Sequence, residues 1–434
     1  MSSLIAPLPL AGTVAALRSG QRDLLAYIGE ICDRIDALEP RIQALLPEPG
    51  RRERLLAEAA SLQQRFPDPA RRPPLYGALL GVKDIFRVDG FPTQAGSKLP
   101  AALFAGPQAS SVTRLREAGA LVLGKTVTTE FAYAEPGPTR NPHNLEHTPG
   151  GSSSGSAAAV AAGLCSLALG TQTIGSVIRP AAFCGIVGFK PTYGRIATDG
   201  VIAYSVSVDT VGLLTQDVAG MVLAAALLCH DWKAATVKSR PTLAVPDGPY
   251  LAQASPEALA AFERQIAVLE SAGYTIKRVA ALDDIEEINR RHQYMAGAEL
   301  AQVHADWFAA YEPLYRPRTA ELIRLGRMVS AEQLAQGRAG RARLRGELET
   351  LMRREGIDLW ICPAAVGPAP EGLASTGETV MNLPWTHAGM PALTLPAGRA
   401  ANGLPLGLQV VAPAMADEQL LAWAESMANV LSAR

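Results

Sequence analysis

Between residues 75 and 127 strand-like and helix-like patterns alternate, and that alternation most limits what the chain can fold into. LYGALLGVKDIF (75–86) is a short apolar run of strand character that delivers Lys83 where the run ends. SSVTRLREAGALVLGKTV (110–127) reads as a helix, a stop at Gly119 and a second strand. Strands separated by helices in this way imply a layered α/β architecture. Ahead of them, Leu24, Leu25, Ile28, Ile31, Ile35 and Leu38 recur at three- and four-residue steps, so residues 11–65 are expected to be helical. Residues 255–355 are mostly helical and charged. PALTLPAG (391–398) and LPLGLQVVAP (404–413) return to strands and turns before a closing helix. With no internal repeat and no clean linker, a single domain over 1–434 is expected.

Composition excludes several classes. Of 434 residues 48% are hydrophobic, enough for a sizeable core and too many for a disordered chain. Forty basic residues against 41 acidic ones leave a net charge of −1, without the basic excess that phosphate neutralisation demands, so no nucleic-acid partner is expected. Cys32, Cys165, Cys184, Cys229 and Cys362 are scattered, odd in number and without a CxxC pair, which argues against a disulfide framework and a zinc ribbon. The first twenty residues lack the basic segment of a signal peptide. The apolar runs 157–164 and 218–229 are too short to span a bilayer. A soluble, cytoplasmic protein without a membrane partner is expected.

Two glycine-punctuated stretches interrupt the α/β pattern. Residues 134–156 hold four prolines and no apolar period, and end in GGSSSGS (150–156) directly before AAAVAAGL. The serines therefore sit at a helix N-terminus. Such a cluster can simply cap the helix or cradle a phosphate, but GxxxxGK[ST] is absent. Gly151–Gly155 fits GxSxG literally, yet no hydrophobic strand precedes it, as a nucleophile elbow requires. The second stretch, ALGTQTIGSVIRPAAFCGIVGFK (168–190), is either a buried glycine turn or a place where backbone N–H groups converge beside Ser176, as an oxyanion hole needs.

Together these segments resemble the amidase signature family of serine amidohydrolases. Lys83 in GALLGVKDIF, the cluster PGGSSSGSAAAVAAG and LGTQTIGSVIRPAAFCGIVGFKPTYGR carry the likeness, with Lys83 69 residues before Ser152 and Ser152 24 before Ser176. VSVDTVGLLTQDV, NLPWTHAGMPALTLPAG and GLPLGLQVVAP extend it over roughly residues 75–230 and 360–434. The resemblance implies one large α/β domain, a twisted mixed sheet covered by helices on both faces, with 1–70 an N-terminal helical segment and 235–355 a variable, mostly helical region on the substrate side. It also implies a Ser-cis-Ser-Lys triad: Ser176 as nucleophile, Ser152 on a cis peptide bond as relay, neutral Lys83 as base. The backbone N–H groups of Thr173, Ile174, Gly175 and Ser176 would form the oxyanion hole. Two departures from the family pattern stand out: Ile174 replaces a usual glycine and Gln172 a frequent aspartate. Arg179 also follows Ser176 by three residues instead of two, which leaves its role open.

The chemistry requires these residue types. A serine hydroxyl attacks only when a base takes its proton, and lysine is a base near neutrality only if its pKa falls well below about 10.4. Burial at the end of an apolar run supplies that shift. The implied activity is hydrolysis of a small or medium carboxamide to carboxylate plus ammonia or amine, with no metal and no cofactor. The alternatives are a glutaminase-type component of a tRNA-dependent amidotransferase, or a binding protein without catalysis. His143 and His147, among prolines, are expected on a loop near a substrate mouth and not on a zinc-binding helix. Trp307, Tyr311 and Tyr315 are expected in the core in preference to a substrate box, and Arg316 and Arg318 at a solvated helix end in preference to a two-pronged contact with a substrate carboxylate. The helices of 11–65 offer a homodimer contact.

Overall fold

The alternating segments fold as a parallel βαβ unit. Leu79–Lys83 (β1) pairs with Leu121–Thr126 (β2) across the helix Ser110–Glu117, and with Leu167–Gln172 (β3) on its other side. The structure is a computed structural model that describes residues 4–432. Val187–Lys190 (β4), Thr210–Thr215 (β5), Leu243–Asp247 (β6), Ile276–Ala280 (β7), Leu359–Pro363 (β8), Ala392–Arg399 (β9) and Pro405–Val411 (β10) complete one sheet. Its order is β2-β1-β3-β5-β4-β9-β10-β8-β6-β7. Both ends are parallel, while the centre, from β3 through to β8, is antiparallel.

Strand periodicity separates two cores. On one face Leu80, Val82, Leu167, Leu169, Leu213, Leu393 and Val410 pack with helices Leu10–Ser19 (α1), Ser110–Glu117, Val218–Leu228 and Asp417–Ser432. Their alternates point the other way. Leu79, Leu121, Leu123, Ala168 and Leu214 meet Leu24–Ile42 (α2) and Arg51–Arg65 (α3). On the same face Ala244, Trp360, Cys362 and Val411 meet residues of Ile285–Val303 and Ala331–Glu355. Helices thus cover both faces, as expected of the family. The apolar stripe of α2, including Tyr27, Ile28, Ile31 and Ile35, is buried against the sheet and the helix Ser154–Ala161. That stripe is therefore taken up within the chain, and the N-terminal helices are part of the core.

Phe104, Phe131, Trp307 and Tyr315 form an edge-to-face and stacked group with His304. Of the three aromatics expected in the core, Tyr315 is buried, while Trp307 and Tyr311 are partly buried and pack against it. Arg316 is the N-cap of the helix Pro317–Arg327 and Arg318 lies in its first turn, with Arg318 exposed and the Arg316 side chain 37% exposed, the solvated helix end expected of them. The Arg316 side chain donates to the Pro136 carbonyl and pairs with Glu135, and that of Arg318 donates to the carbonyls of Ala134 and Ala374. Their acceptors are carbonyls of the proline-rich loop and of Ala374.

Candidate active site

Because β1 and β3 are parallel, their C-terminal ends lie at one edge of the sheet, the usual place for a site in an open α/β layer. Lys83 is the last residue of β1 and is fully buried. Its Nζ lies 2.7 Å from Ser152 Oγ, 2.8 Å from Thr171 Oγ1 and 3.4 Å from the Thr171 carbonyl oxygen. Burial pulls its pKa down to about 7, against a weaker opposing pull from the Asp209 carboxylate. Among the described residues no carboxylate forms an ion pair with it.

Ser152 follows a cis Gly151–Ser152 peptide bond and precedes the helix Ser154–Ala161. Glycine at 155 is a packing requirement: a Cβ there would lie 2.2 Å from the Ala44 carbonyl oxygen and 2.4 Å from Val127 N. Ser153, the serine of the literal GxSxG, is buried, and its Oγ contacts the backbone of Thr171 at 3.4 Å. The sequence argument against an elbow at Ser153 therefore agrees with its placement.

The turn 173–176 leaves β3 with the N–H groups of Thr173, Ile174, Gly175 and Ser176 donating to no acceptor among the described residues. Ile174 has no left-handed backbone conformation, so replacing glycine costs the turn nothing in φ. Gly175 has no such latitude, since a Cβ would sit 2.4 Å from Asn382 Oδ1. Gln172 is the prop of this turn. Its Oε1 accepts from the N–H groups of Val177 and Ile178, and its Nε2 donates to Thr386 Oγ1, which donates to the Ile174 carbonyl. A carboxylate could accept the first pair of bonds but could not donate the third. Thr173 Oγ1 donates to Asp209, which also accepts from the N–H groups of Tyr204 and Ser205. Burial raises the Asp209 carboxyl to about 6, with the Thr173 bond and Lys83 among the opposing causes.

Ser152 and Ser176 line one cavity of about 740 Å³ with Ile174, Arg179, Tyr204 and Thr376. Its exposed lining is mixed: Tyr294, Leu325 and Met328 are apolar, while Gln293, Arg318, Ser375 and Glu378 are polar or charged. The structure brings Lys83 onto Ser152 but closes no hydrogen bond between Ser152 Oγ and Ser176 Oγ among the described residues. Unliganded catalytic contacts are often long. His143 and His147 lie on the loop as expected but not at the substrate mouth: they are bonded to the Cys184 and Ala369 carbonyls and neither lines the cavity of Ser152 and Ser176. No metal-binding group of side chains occurs among the described residues. Nothing in the sequence singles out Thr171, Asp209, Asn382 or Thr386. They lie in segments that carry the family likeness, but only tertiary contacts reveal what each touches.

A family model described as Amidase matches residues 26–421. The chain belongs to the amidase family. A crystal structure of an amidase superposes with a TM-score of 0.89 at 31% identity, covering 98% of this chain and all of that one. Native peptide amidase from Stenotrophomonas maltophilia gives 0.83 at 26%, covering 99% and 98%. Curated relatives include a component of the glutamyl-tRNA(Gln) amidotransferase of Thermus thermophilus, 34% identical over 89% of this chain and 90% of the relative. The same component from Roseiflexus castenholzii is 32% identical over 93% and 92%. This amidase is thus a hydrolase of amide carbon–nitrogen bonds. No helix among its described residues is long and apolar enough to cross a membrane.

Proposed function

We propose that this amidase cleaves a carboxamide through an acyl-enzyme on Ser176, with Lys83 as base and Ser152 as relay. One observation carries the reading: a fully buried lysine without a paired carboxylate lies 2.7 Å from a serine that shares its cavity with Ser176. Two N–H bonds of a neutral amine suit the Thr171 hydroxyl and carbonyl, leaving the nitrogen lone pair for the Ser152 hydroxyl. Ser176 Oγ attacks the amide carbonyl as its proton passes to Ser152 and the Ser152 proton passes to Lys83. Charge developing on the carbonyl oxygen meets the N–H groups of residues 173–176. The relay then returns a proton to the departing nitrogen. Water, deprotonated along the same path, attacks the acyl-enzyme and releases the carboxylate. No step calls for a metal or cofactor. The variable region contributes cavity wall through Tyr294, Leu322, Leu325 and Met328, which supports its assignment to the substrate side.

A second reading concerns where the nitrogen goes. The curated relatives named as amidotransferase components, matched over about nine-tenths of their length, support release of ammonia to a partner protein more directly than they support a stand-alone amidase. The two readings share the chemistry at Ser176. A fluorophosphonate probe, followed by intact mass and peptide mapping, tests it without knowledge of the substrate. One adduct on Ser176, lost in Ser176→Ala and kept in Ser153→Ala, is expected; an adduct on Ser153 overturns the triad. Glutamine hydrolysis that appears only with a copurifying protein decides for the amidotransferase reading, and amide hydrolysis by the purified chain decides against it.

A further inference from the structure

Arg179 is anomalous in the cavity wall. It lies in the short helix Ile178–Phe183, 2% exposed, and no carboxylate forms an ion pair with it among the described residues. Its Nη2 donates to the Gly151 carbonyl at 2.6 Å and to Thr376 Oγ1 at 3.1 Å. Its Nε and Nη1 are buried without any partner. The charge is felt by Glu378, an exposed residue on the same loop as Thr376, but the two are not paired. Holding the Gly151 carbonyl needs one neutral donor. A guanidinium brings five N–H groups and a charge that is costly to bury unpaired. Elsewhere in this chain the buried Arg195 has two carboxylates, Asp417 and Glu418. Arg179 has none, and it lines the cavity of Ser152 and Ser176, as does Arg318, whose guanidinium is bonded to the Ala134 and Ala374 carbonyls.

We propose that Arg179 is the anion-recognition element of the cavity, so that the amides hydrolysed here also carry a carboxylate. The inference rests on the amidase reading for the reaction but not for the binding. The carboxylate supplies the counter-ion the protein withholds, in the two-pronged geometry that guanidinium and carboxylate share. It gains access by displacing Thr376, whose loop (371–379) contains no helix or strand and is largely exposed. Residues on that loop, Ser375 through Thr379, line the same cavity. The apolar side chains of Tyr294, Leu325 and Met328 in the same cavity then accommodate the remainder of the molecule.

Binding and turnover test this separately. Malonate, succinate and glutarate are titrated calorimetrically into Ser176→Ala protein, beside the matching neutral diamides. At least one diacid is expected to bind at least about tenfold more tightly than its diamide, a preference lost in Ser176→Ala/Arg179→Gln. For turnover, kcat/KM is compared for succinamate against succinamide, and for N-acetylglycine against N-acetylglycinamide. The charged-to-neutral ratio of at least one pair is expected to fall about tenfold or more in Arg179→Gln and to be partly restored in Arg179→Lys. Equal loss on both members of each pair, with no diacid binding, means that Arg179 only holds Gly151 and overturns the proposal. Diacid binding without turnover of any amide leaves the anion site standing and removes the amidase reading. Turnover of neutral amides without diacid binding does the reverse.

Discussion

Lys83 and Lys190 end neighbouring parts of the same sheet, both fully buried, and burial holds both near a pKa of about 7. Yet they face different surroundings. Lys190 Nζ donates to the carbonyls of Pro191 and Met390, groups that can only accept. Lys83 touches two hydroxyls, one of them Ser152 in the cavity wall. Burial therefore makes a lysine capable of being neutral, and only a titratable neighbour open to substrate makes that neutrality useful. Lys125 differs in another way: burial lowers its pKa too, but against the pull of a counter-ion, Asp84, 2.7 Å from its Nζ.

The largest expected effect breaks the comparison at its functional end. Lys83→Ala should lower kcat by about 10²–10⁴, whereas Lys190→Met should leave kcat within about twofold, the span of ordinary variation for a group remote from the reaction. Steady-state kinetics on any accepted amide checks both, and equal losses would sink the distinction. Next, Gly175→Ala leaves both lysines untouched but drives a Cβ into Asn382 Oδ1, and Asn382 is pinned by the Ala364 carbonyl and Gln409. Displacing the turn should cost on the order of 10²–10³ in kcat, the size of a lost oxyanion donor. Retained activity would show that the N–H groups are not where charge develops.

A smaller effect appears in the pH profile. Protonated Lys83 cannot accept the Ser152 proton, so kcat should fall about tenfold per pH unit below about 7, the value to which burial takes it. Lys190→Met should leave that limb in place; a limb that moves with Lys190 would reassign the base. The smallest effect is on stability. Both amines are near 10.5 when unfolded and about 7 when folded, so between those values the unfolded chain binds protons that the native chain does not. Stability from this source is absent below about pH 7 and rises as pH increases. Each lysine contributes a slope of up to about 1.4 kcal/mol per pH unit. Urea unfolding at about pH 7.5 and 8.5 should therefore show a shallower rise in Lys190→Met than in the wild type, with an unchanged slope counting against a neutral Lys190.

The sequence shows these two lysines unequally. Lys83 is marked by the glycine-serine motifs that accompany it, and strand alternation from 75 to 127 foretells the βαβ unit that places it. Lys190 also ends an apolar run, GIVGFK, and nothing local separates the two. What distinguishes them is set by Thr171, which lies 88 residues from Lys83, and Met390, which lies 200 residues from Lys190. The same holds for Arg179: its offset from the family pattern is visible in the chain, but its want of a counter-ion exists only once loop 371–379 lies over it. Arg316 and Arg318 lie at the solvated helix end expected of them, yet the carbonyls they bond come from residues 134–136 and 374, which nothing local foretells.

The central position of β9 and β10 bears on how the protein is made. They join β4 to β8, so a ribosome must release nearly the whole polypeptide before the two halves of the sheet can meet. Until then β4 and β8 each present a raw edge, the kind of surface that nascent chains expose to one another. Asn382, Thr386 and Gln409, which brace the turn at Ser176, arrive in the same late stretch. A message truncated after residue 380 would thus yield no partial enzyme, only a sticky chain for the cell's quality control to remove.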